Sequence, residues 1–401
     1  MEINKLSKEV GAKRKAKEDT TELQERVKEM KQGMVALEEE AKQAADERNA
    51  VLATVGNLVH DSVPVDDNED NNAVVSEVGE PRQDARYNHV DLVQLLDIVD
   101  LEAGVAVAGG RGFYLKGEGC LLNQALINYA LQYLYKEGYT PVHTPFFMRK
   151  GMMAQCAQLS QFDDELYHVS GEGEDKYLIA TSEQTLCAMH QGQWIEPRDL
   201  PKRLAGYSTC FRKEVGSHGR DTLGIFRVHQ FEKVEQFVVA TPETSWDEME
   251  KLLANAEGFY TSLGIPYRVV NIVSGALNDA AAKKYDLEAW FPGGKAYREL
   301  VSCSNCTDFQ SRNLEVRLRT PKAPGGEQKK DYVHLLNSTL TASERTLCCV
   351  LENYQTEAGV VIPEVLRPFM CGVEFIPFRK EFDKKGKLVP RAEPAQDASM
   401  N

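Results

Sequence analysis

Arg212 and Glu214 stand two residues apart in FRKE, while Arg227, Phe231 and Glu235 stand four apart in FRVHQFEKVE. Even spacing predicts that each set shares one face of an extended strand. A guanidinium fork fits a phosphate or a carboxylate, a phenyl face can stack on an adenine ring, and a carboxylate accepts from an amine. The five side chains together read as a nucleotide site. The same alternation also fits a solvated hairpin with ordinary surface charges. The intervening Gly216 to Gly224, with His218, Arg220 and Asp221, is expected to be a mobile loop. Elsewhere the single motifs decide less. TSEQ at 181–184 reads by itself as a helix N-cap. GGRG at 109–112 fits neither G-x-G-x-x-G nor G-x-x-x-x-G-K-[ST], and is read as a turn. Cys303 and Cys306 are half of a zinc site, but a structural site wants four ligands and no second CxxC or HxxxH exists, so no zinc is expected.

FRKE, a loop and FRVHQFEKVE resemble the second signature motif of class II aminoacyl-tRNA synthetases, in the form used by seryl-tRNA synthetases. TSEQ at 181–184, ELVSCSNCTDFQSR at 299–312 and HLLNSTLTASERTLCCVLENYQ at 334–355 agree with it, in the expected order. The chain is identified on these motifs as similar to the eukaryotic cytosolic branch of that family. The resemblance covers Leu92 to Met370 in detail and the N-terminal arm in pattern. It implies an α+β fold: a class II antiparallel sheet flanked by helices, with an N-terminal antiparallel coiled-coil arm. It also implies that L-serine is activated with ATP to seryl-adenylate and passed to the 3′ end of serine tRNA, with selenocysteine tRNA left open as a second acceptor.

By the same resemblance Arg212 holds the α-phosphate and the serine carboxylate, and Arg345 takes the γ-phosphate side. Lys213 is grouped with the ATP residues, Glu214 accepts from the adenine amino group, Phe231 stacks on the ring, and Val228 offers backbone. Glu299 and Ser302 match the position of a Mg²⁺ ion bridging the phosphates. Thr181, Ser182 and Glu183 match the loop that receives the α-ammonium. Glu235 and Thr339 match the pair that reads the side-chain hydroxyl, with Asn337 beside them. One departure is Asn337-Ser338-Thr339-Leu340-Thr341, where the family often has glycines after the Asn. Two rival readings are a relative that loads an amino acid onto a carrier protein, and a non-catalytic synthetase-derived scaffold. The arm argues against the first, and the intact motifs argue against the second.

These residues need a body to hold them, and 401 residues with 42% apolar composition supply one large or two modest cores. No apolar run approaches the roughly 20 residues of a membrane span, and a cytoplasmic location is expected. Nine scattered cysteines argue for reduced thiols. The net charge of −14 does not advertise nucleic-acid binding, yet residues 1–17 hold six cations against Glu2 and Glu9.

From Leu23 through Val27, Met30, Met34, Leu37, Ala41, Ala44, Val51 and Val55 to Leu58 the apolar steps alternate four and three, a heptad seam broken at Arg48. A shorter helix with Ile3, Leu6 and Val10 precedes it, and Asp19, Thr20 and Thr21 supply the turn. The longer helix would run about 55 Å and the shorter would cover about 25 Å of it. The arm is therefore expected to be incomplete at its N-terminal side, or completed by another chain, and serine activation is expected to exceed tRNA charging. The expected divisions are 1–60 arm, 61–85 acidic linker, 86–378 catalytic domain and 379–401 basic C-terminal extension. A helix around Asp91–Leu101, a Gly-rich strand AGGRGFYLKGEG and a helix Cys120–Glu137 should open the body. GYTPVHTPFF then resembles the family's first motif, which implies a homodimer.

Overall fold

The computed structural model describes residues 2–52, 54–156, 165–171, 173–215, 223–320 and 331–391. The expected mobile loop, apart from its last two positions, lies outside the described residues, as does the end of the C-terminal extension. The chain divides into two compact units, Met1–Gly56 and Asn57–Asn401.

The first unit is a pair of helices, α1 (Glu2–Lys15) and α2 (Thr21–Leu52). Asp19 starts α2, its Oδ1 accepting from the Thr21 N–H at 2.9 Å. Arg14 Nη2 donates to Gln24 Oε1 at 3.0 Å across the turn. Ile3, Leu6, Val10, Leu23, Val27 and Met30 are half-buried along the seam, whereas Met34, Val35 and Leu37 stay exposed. The helix stops at Leu52, so Val55 and Leu58 lie beyond it and are exposed. Its 32 residues give a length of about 48 Å rather than 55 Å.

The second unit is built on eight strands: β1 (Ala73–Val78), β2 (Thr140–His143), β3 (Lys202–Phe211), β4 (Gln230–Ala240), β5 (Tyr267–Asn271), β6 (Lys283–Phe291), β7 (Ala296–Asn305) and β8 (His334–Ala342). They lie in the order β1-β5-β6-β7-β8-β4-β3-β2. All neighbours are antiparallel except β2 and β3. Helices α3 (His89–Leu95), α4 (Leu101–Ala108), α5 (Glu118–Lys136), α6 (Lys150–Cys156), α7 (Ser182–Ala188), α8 (Ser245–Ser262), α9 (Phe309–Asn313) and α10 (Ser343–Asn353) surround them.

Leu122, Leu126, Ala130 and Leu134 recur every fourth residue of α5 and share one core with Val234 and Val238 of β4 and Leu336 and Leu340 of β8. Each buried leucine contributes about 1.5–3 kcal/mol to holding helix against sheet. On the other face Phe237 and Val239 of β4 join Leu186 and Cys187 of α7 in a second core. The same face of β4 runs back through Glu235, Lys233 and Phe231, and there the polar site begins.

Segment 61–85, expected as an acidic linker, is part of the body. Asp66 and Asn68 accept from the Asn68 and Asp70 N–H groups at 2.8 and 3.0 Å, and β1 then pairs with β5 at the sheet edge. The Asx side chains build turns here instead of solvating a spacer. The body begins at Asn57, whose Nδ2 donates to the Ala280 and Cys306 carbonyls and to Thr307 Oγ1, each at 2.9 Å. The stretch expected as a Gly-rich strand is instead the end of α4, a turn and a two-residue strand, Tyr114–Leu115. Gly109 and Arg111 have φ of 82° and 61°, and a Cβ at Gly112 would stand 2.4 Å from the Gly104 carbonyl oxygen. Positive φ at Gly109 and close backbone approach at Gly112, not strand formation, account for these glycines. At the far end Arg379 Nη2 donates to Glu118 at 2.6 Å and Lys380 Nζ to Asp97 at 2.9 Å, so the first residues of the basic extension pack on the body.

Candidate active site

Strands β3 and β4 end short of the loop between them, so Arg212, Lys213, Glu214 and Arg227 lie beyond the strand ends, and Glu214 has φ of 52°. The expected strand alternation therefore does not align them; the turn geometry does. A cleft is lined by Arg212, Glu214, Arg227, Val228, Phe231, Glu299, Thr339 and Arg345, together with Phe226, Lys233, Leu300, Ala342 and Glu344. Lys213 is not among the lining residues; its N–H donates to the Glu165 carbonyl at 3.0 Å.

Within the cleft the Arg212 guanidinium lies 5.4 Å from the Phe231 ring centre, and its Nε donates to the Ala180 carbonyl at 3.4 Å. Arg227 reaches Glu214 at 3.5 Å, while its buried Nε has no hydrogen-bond partner. Arg345, at the start of α10, lies 4.0 Å from Glu299 and 5.1 Å from the Phe226 ring centre. Burial lowers the Arg345 pKa, Glu299 opposes this, and repulsion from Arg212 and Arg227 adds to it. Three guanidinium groups thus crowd one another where an anion would relieve them.

Next to Lys233 and Thr339 of the cleft, register places Glu235. Glu235 pairs with Thr339 of β8 on one side and with Gly206 of β3 on the other. A Cβ at Gly206 would meet Leu186 Cδ1 at 2.6 Å and Ser182 Oγ at 2.9 Å, so glycine lets α7 sit down on the strand. Thr181 caps α7, accepting from the Glu183 N–H, and donates from Oγ1 to Glu235 Oε1 at 2.8 Å. Thr339 Oγ1 donates to the same oxygen at 3.4 Å, and Lys233 forms an ion pair with it. Glu235 is 1% exposed, and its Oε2 has no hydrogen-bond partner. An acceptor buried that deeply is costly unless a ligand donates to it.

Glu183 accepts from Gln310 Nε2 at 2.8 Å. Burial raises the Glu183 pKa, Gln310 opposes the rise, and Glu235 adds to it. Ser182 is fully buried under α7, and Asn337 accepts weakly from Cys306 at 3.9 Å beside the pocket.

Ser302 pairs across the sheet with Asp286, a residue the motif reading missed. Burial and the nearby Glu299 together raise the Asp286 carboxyl pKa to about 8, against the opposing pull of Lys284, 3.2 Å away. Burial would also raise Glu299, but Arg345, Lys284, Arg212 and Lys233 hold it below the usual carboxylate range. Asp286 Oδ1 is buried and unpartnered, so Glu299, Ser302 and Asp286 form an all-oxygen donor set that fits Mg²⁺. Lys233, Gln310 and Glu344 were likewise not singled out, since a charge or amide inside a strand or short helix carries no local signal. Cys303 and Cys306 donate to Met249 and Asn337 respectively, each thiol to its own acceptor.

Comparison with known proteins gives the family. Residues 167–354 match the tRNA synthetase class II core domain (G, H, P, S and T), and residues 1–59 match the seryl-tRNA synthetase N-terminal domain. A serine-tRNA ligase of Helianthus annuus is 61% identical over 386 residues, covering 96% of this chain and 88% of that protein. The cytoplasmic serine-tRNA ligase of Arabidopsis thaliana is 58% identical over 395 residues, covering 96% and 87%. The crystal structure of the cytoplasmic enzyme from Naegleria fowleri in complex with AMP superposes with a TM-score of 0.83 at 54% identity, covering 94% of this chain and 88% of that one. Identity of this order along both the arm and the body places the chain in the seryl-tRNA synthetase family of class II aminoacyl-tRNA synthetases.

Proposed function

We infer that the cationic cleft binds ATP, that the pocket around Glu235 binds serine, and that Arg212 joins the two. The protein is a cytoplasmic serine-tRNA ligase: it activates L-serine with ATP and transfers the product to serine tRNA. The observation that carries the assignment of residues is the gathering of Arg212, Arg227 and Arg345 in one cleft with Lys233 and Thr339, both of which also reach Glu235 Oε1.

Arg212, at the junction, holds the serine carboxylate against the α-phosphate. A carboxylate oxygen attacks the α-phosphorus, the bond to the bridging oxygen breaks, and pyrophosphate leaves with that electron pair. No proton need move in this step. Arg212 and Arg345 meet charge that develops on phosphate oxygens, so positioning and electrostatic stabilisation supply the catalysis. Phe231 offers its ring face to adenine, Glu214 accepts from the adenine amine, and the Val228 backbone closes that end, with Lys213 assigned only to shaping the loop. Glu299, Ser302 and Asp286 would hold Mg²⁺, which when bound neutralises phosphate charge. Glu183, with Thr181, receives the ammonium group, and Glu235 with Thr339 reads the hydroxyl, Asn337 lying alongside and Ser182 seating α7.

A homodimer is proposed on the edge position of β2, whose outer side is free to meet a second copy beside α5. Sedimentation that gives a monomer at micromolar concentration would dismiss it. ATP–pyrophosphate exchange with serine, threonine, alanine and glycine tests the site. Serine should lead, and alanine should trail by about ten-thousandfold in kcat/KM, because it would leave Glu235 Oε2 unpaired. Comparable exchange with alanine would reject the pocket assignment.

A further inference from the structure

Gln310 on α9 is 4% exposed and joins two elements distant in sequence. Its Nε2 donates to Glu183 Oε1 at 2.8 Å. Its Oε1 accepts from the Cys187 thiol, one turn further along α7, at 3.5 Å. An amide can be turned either way, but here only one orientation serves both neighbours. The thiol is a donor and the carboxylate is an acceptor. The Glu183 carboxylate therefore takes the NH2 end of the amide, and the Cys187 thiol anchors the other end.

We propose that Gln310, anchored by Cys187, is a positioning and specificity residue that holds the Glu183 carboxylate aimed at the serine ammonium. This rests on the assignment of Glu183 to the ammonium group. A carboxylate in this pocket is opposed by the Glu235 charge on β4 and by its own burial. It is favoured by Lys233 of β4, by Arg212 and by the Gln310 N–H. Among the described residues the other titratable neighbours are thiols: Cys156 on α6, Cys187 on α7 itself, and Cys306 following β7. Burial pushes Cys187 far above the ordinary thiol value, so it keeps its proton and remains a donor at neutral pH. Of the groups favouring the ionised form, Gln310 alone bonds Glu183 without adding charge, and so it leaves the pocket's electrostatic preference for a cation intact.

The sign of the pH effect follows. Serine binds when Glu183 is ionised, and losing the Gln310 N–H favours the protonated carboxyl. Serine KM should therefore rise, and rise more steeply as pH falls. ATP–pyrophosphate exchange is measured from pH 5.5 to 8.5 for wild type, Gln310→Met, Cys187→Ala and Glu183→Gln. Gln310→Met keeps length and bulk. The expected result is a serine KM raised about ten- to a hundredfold at pH 7, with the acidic limb displaced upward. ATP KM should be unchanged, which reports an intact cleft. Cys187→Ala should give the same displacement in weaker form, because the amide then loses one of its two anchors. If Glu183→Gln leaves serine KM unchanged, the assignment of Glu183 itself fails. If Glu183→Gln is impaired while Gln310→Met keeps the wild-type pH profile, the positioning role is overturned and the assignment survives.

Discussion

At the scale of single residues, the site is held together by charges that oppose one another until a ligand arrives. Arg345 has its pKa lowered by burial and by two neighbouring arginines, and Arg227 keeps a buried Nε without a partner. Anionic phosphate removes both costs. Arg212→Ala should accordingly reduce kcat for exchange by about a hundred- to a thousandfold while leaving the melting temperature nearly unchanged. Near-normal exchange with an unaltered fold would remove Arg212 from its role. Glu344, next to Arg345, shows the opposite arrangement. Burial and the nearby Glu232 raise its pKa well above the ordinary carboxyl value, and Glu232 N–H donates to it at 3.0 Å. The folded protein holds a proton that the unfolded chain releases near the usual carboxyl pH. The contribution of Glu344 to stability is therefore complete below that pH and is lost progressively as pH rises toward the folded value. Glu344→Gln, which cannot ionise, should flatten the decline in stability between pH 5 and 8, read from urea midpoints. A slope identical to wild type would show that another group is responsible.

At the scale of elements, register and close approach decide what the motifs can do. Glu235 was legible as a pocket residue because TSEQ, FEKVE and the third motif occur together, yet its partners follow from pairing with Thr339 and Gly206, which no local pattern states. Arg212 and Glu214 were placed by strand alternation, which ends at Phe211, and the turn beyond it is what brings both to the cleft. The acidic run before β1 was read as a linker because Asp and Asn favour solvent and turns equally. Only its neighbours in space reveal that the turns are fixed. Asp286 and Gln310 escaped because each acts through a residue far away in sequence. Gly206 gives the sharpest test at this scale. A methyl group there meets Leu186 at 2.6 Å and Ser182 at 2.9 Å, and must lift the start of α7. Gly206→Ala should raise serine KM by about tenfold or more, in keeping with the sensitivity of a site to a displacement near 1 Å, with a smaller change in ATP KM. Equal changes for both substrates would mean that the whole sheet, not α7, had moved.

At the scale of the whole molecule, the two units differ in packing and in charge. The body carries its own core from Leu92 to Phe378 and all the residues assigned to activation. The first unit matches a seryl-tRNA synthetase N-terminal domain, has no buried apolar side chain in either helix, and gathers six cations within residues 1–17 of a chain whose net charge is −14. A phosphate backbone bound by such a segment displaces counterions, so its contribution weakens steeply with salt, whereas a small substrate held in a buried pocket responds far less. Aminoacylation at limiting serine tRNA should therefore fall by about tenfold or more between 50 and 200 mM salt, while ATP–pyrophosphate exchange changes only a few-fold. Replacing Lys13, Arg14, Lys15 and Lys17 together with glutamine should flatten the aminoacylation slope and leave exchange at wild-type rates. If the slope persists in that variant, the tRNA is held by cations of the body, and the charge of the first helix serves solubility alone.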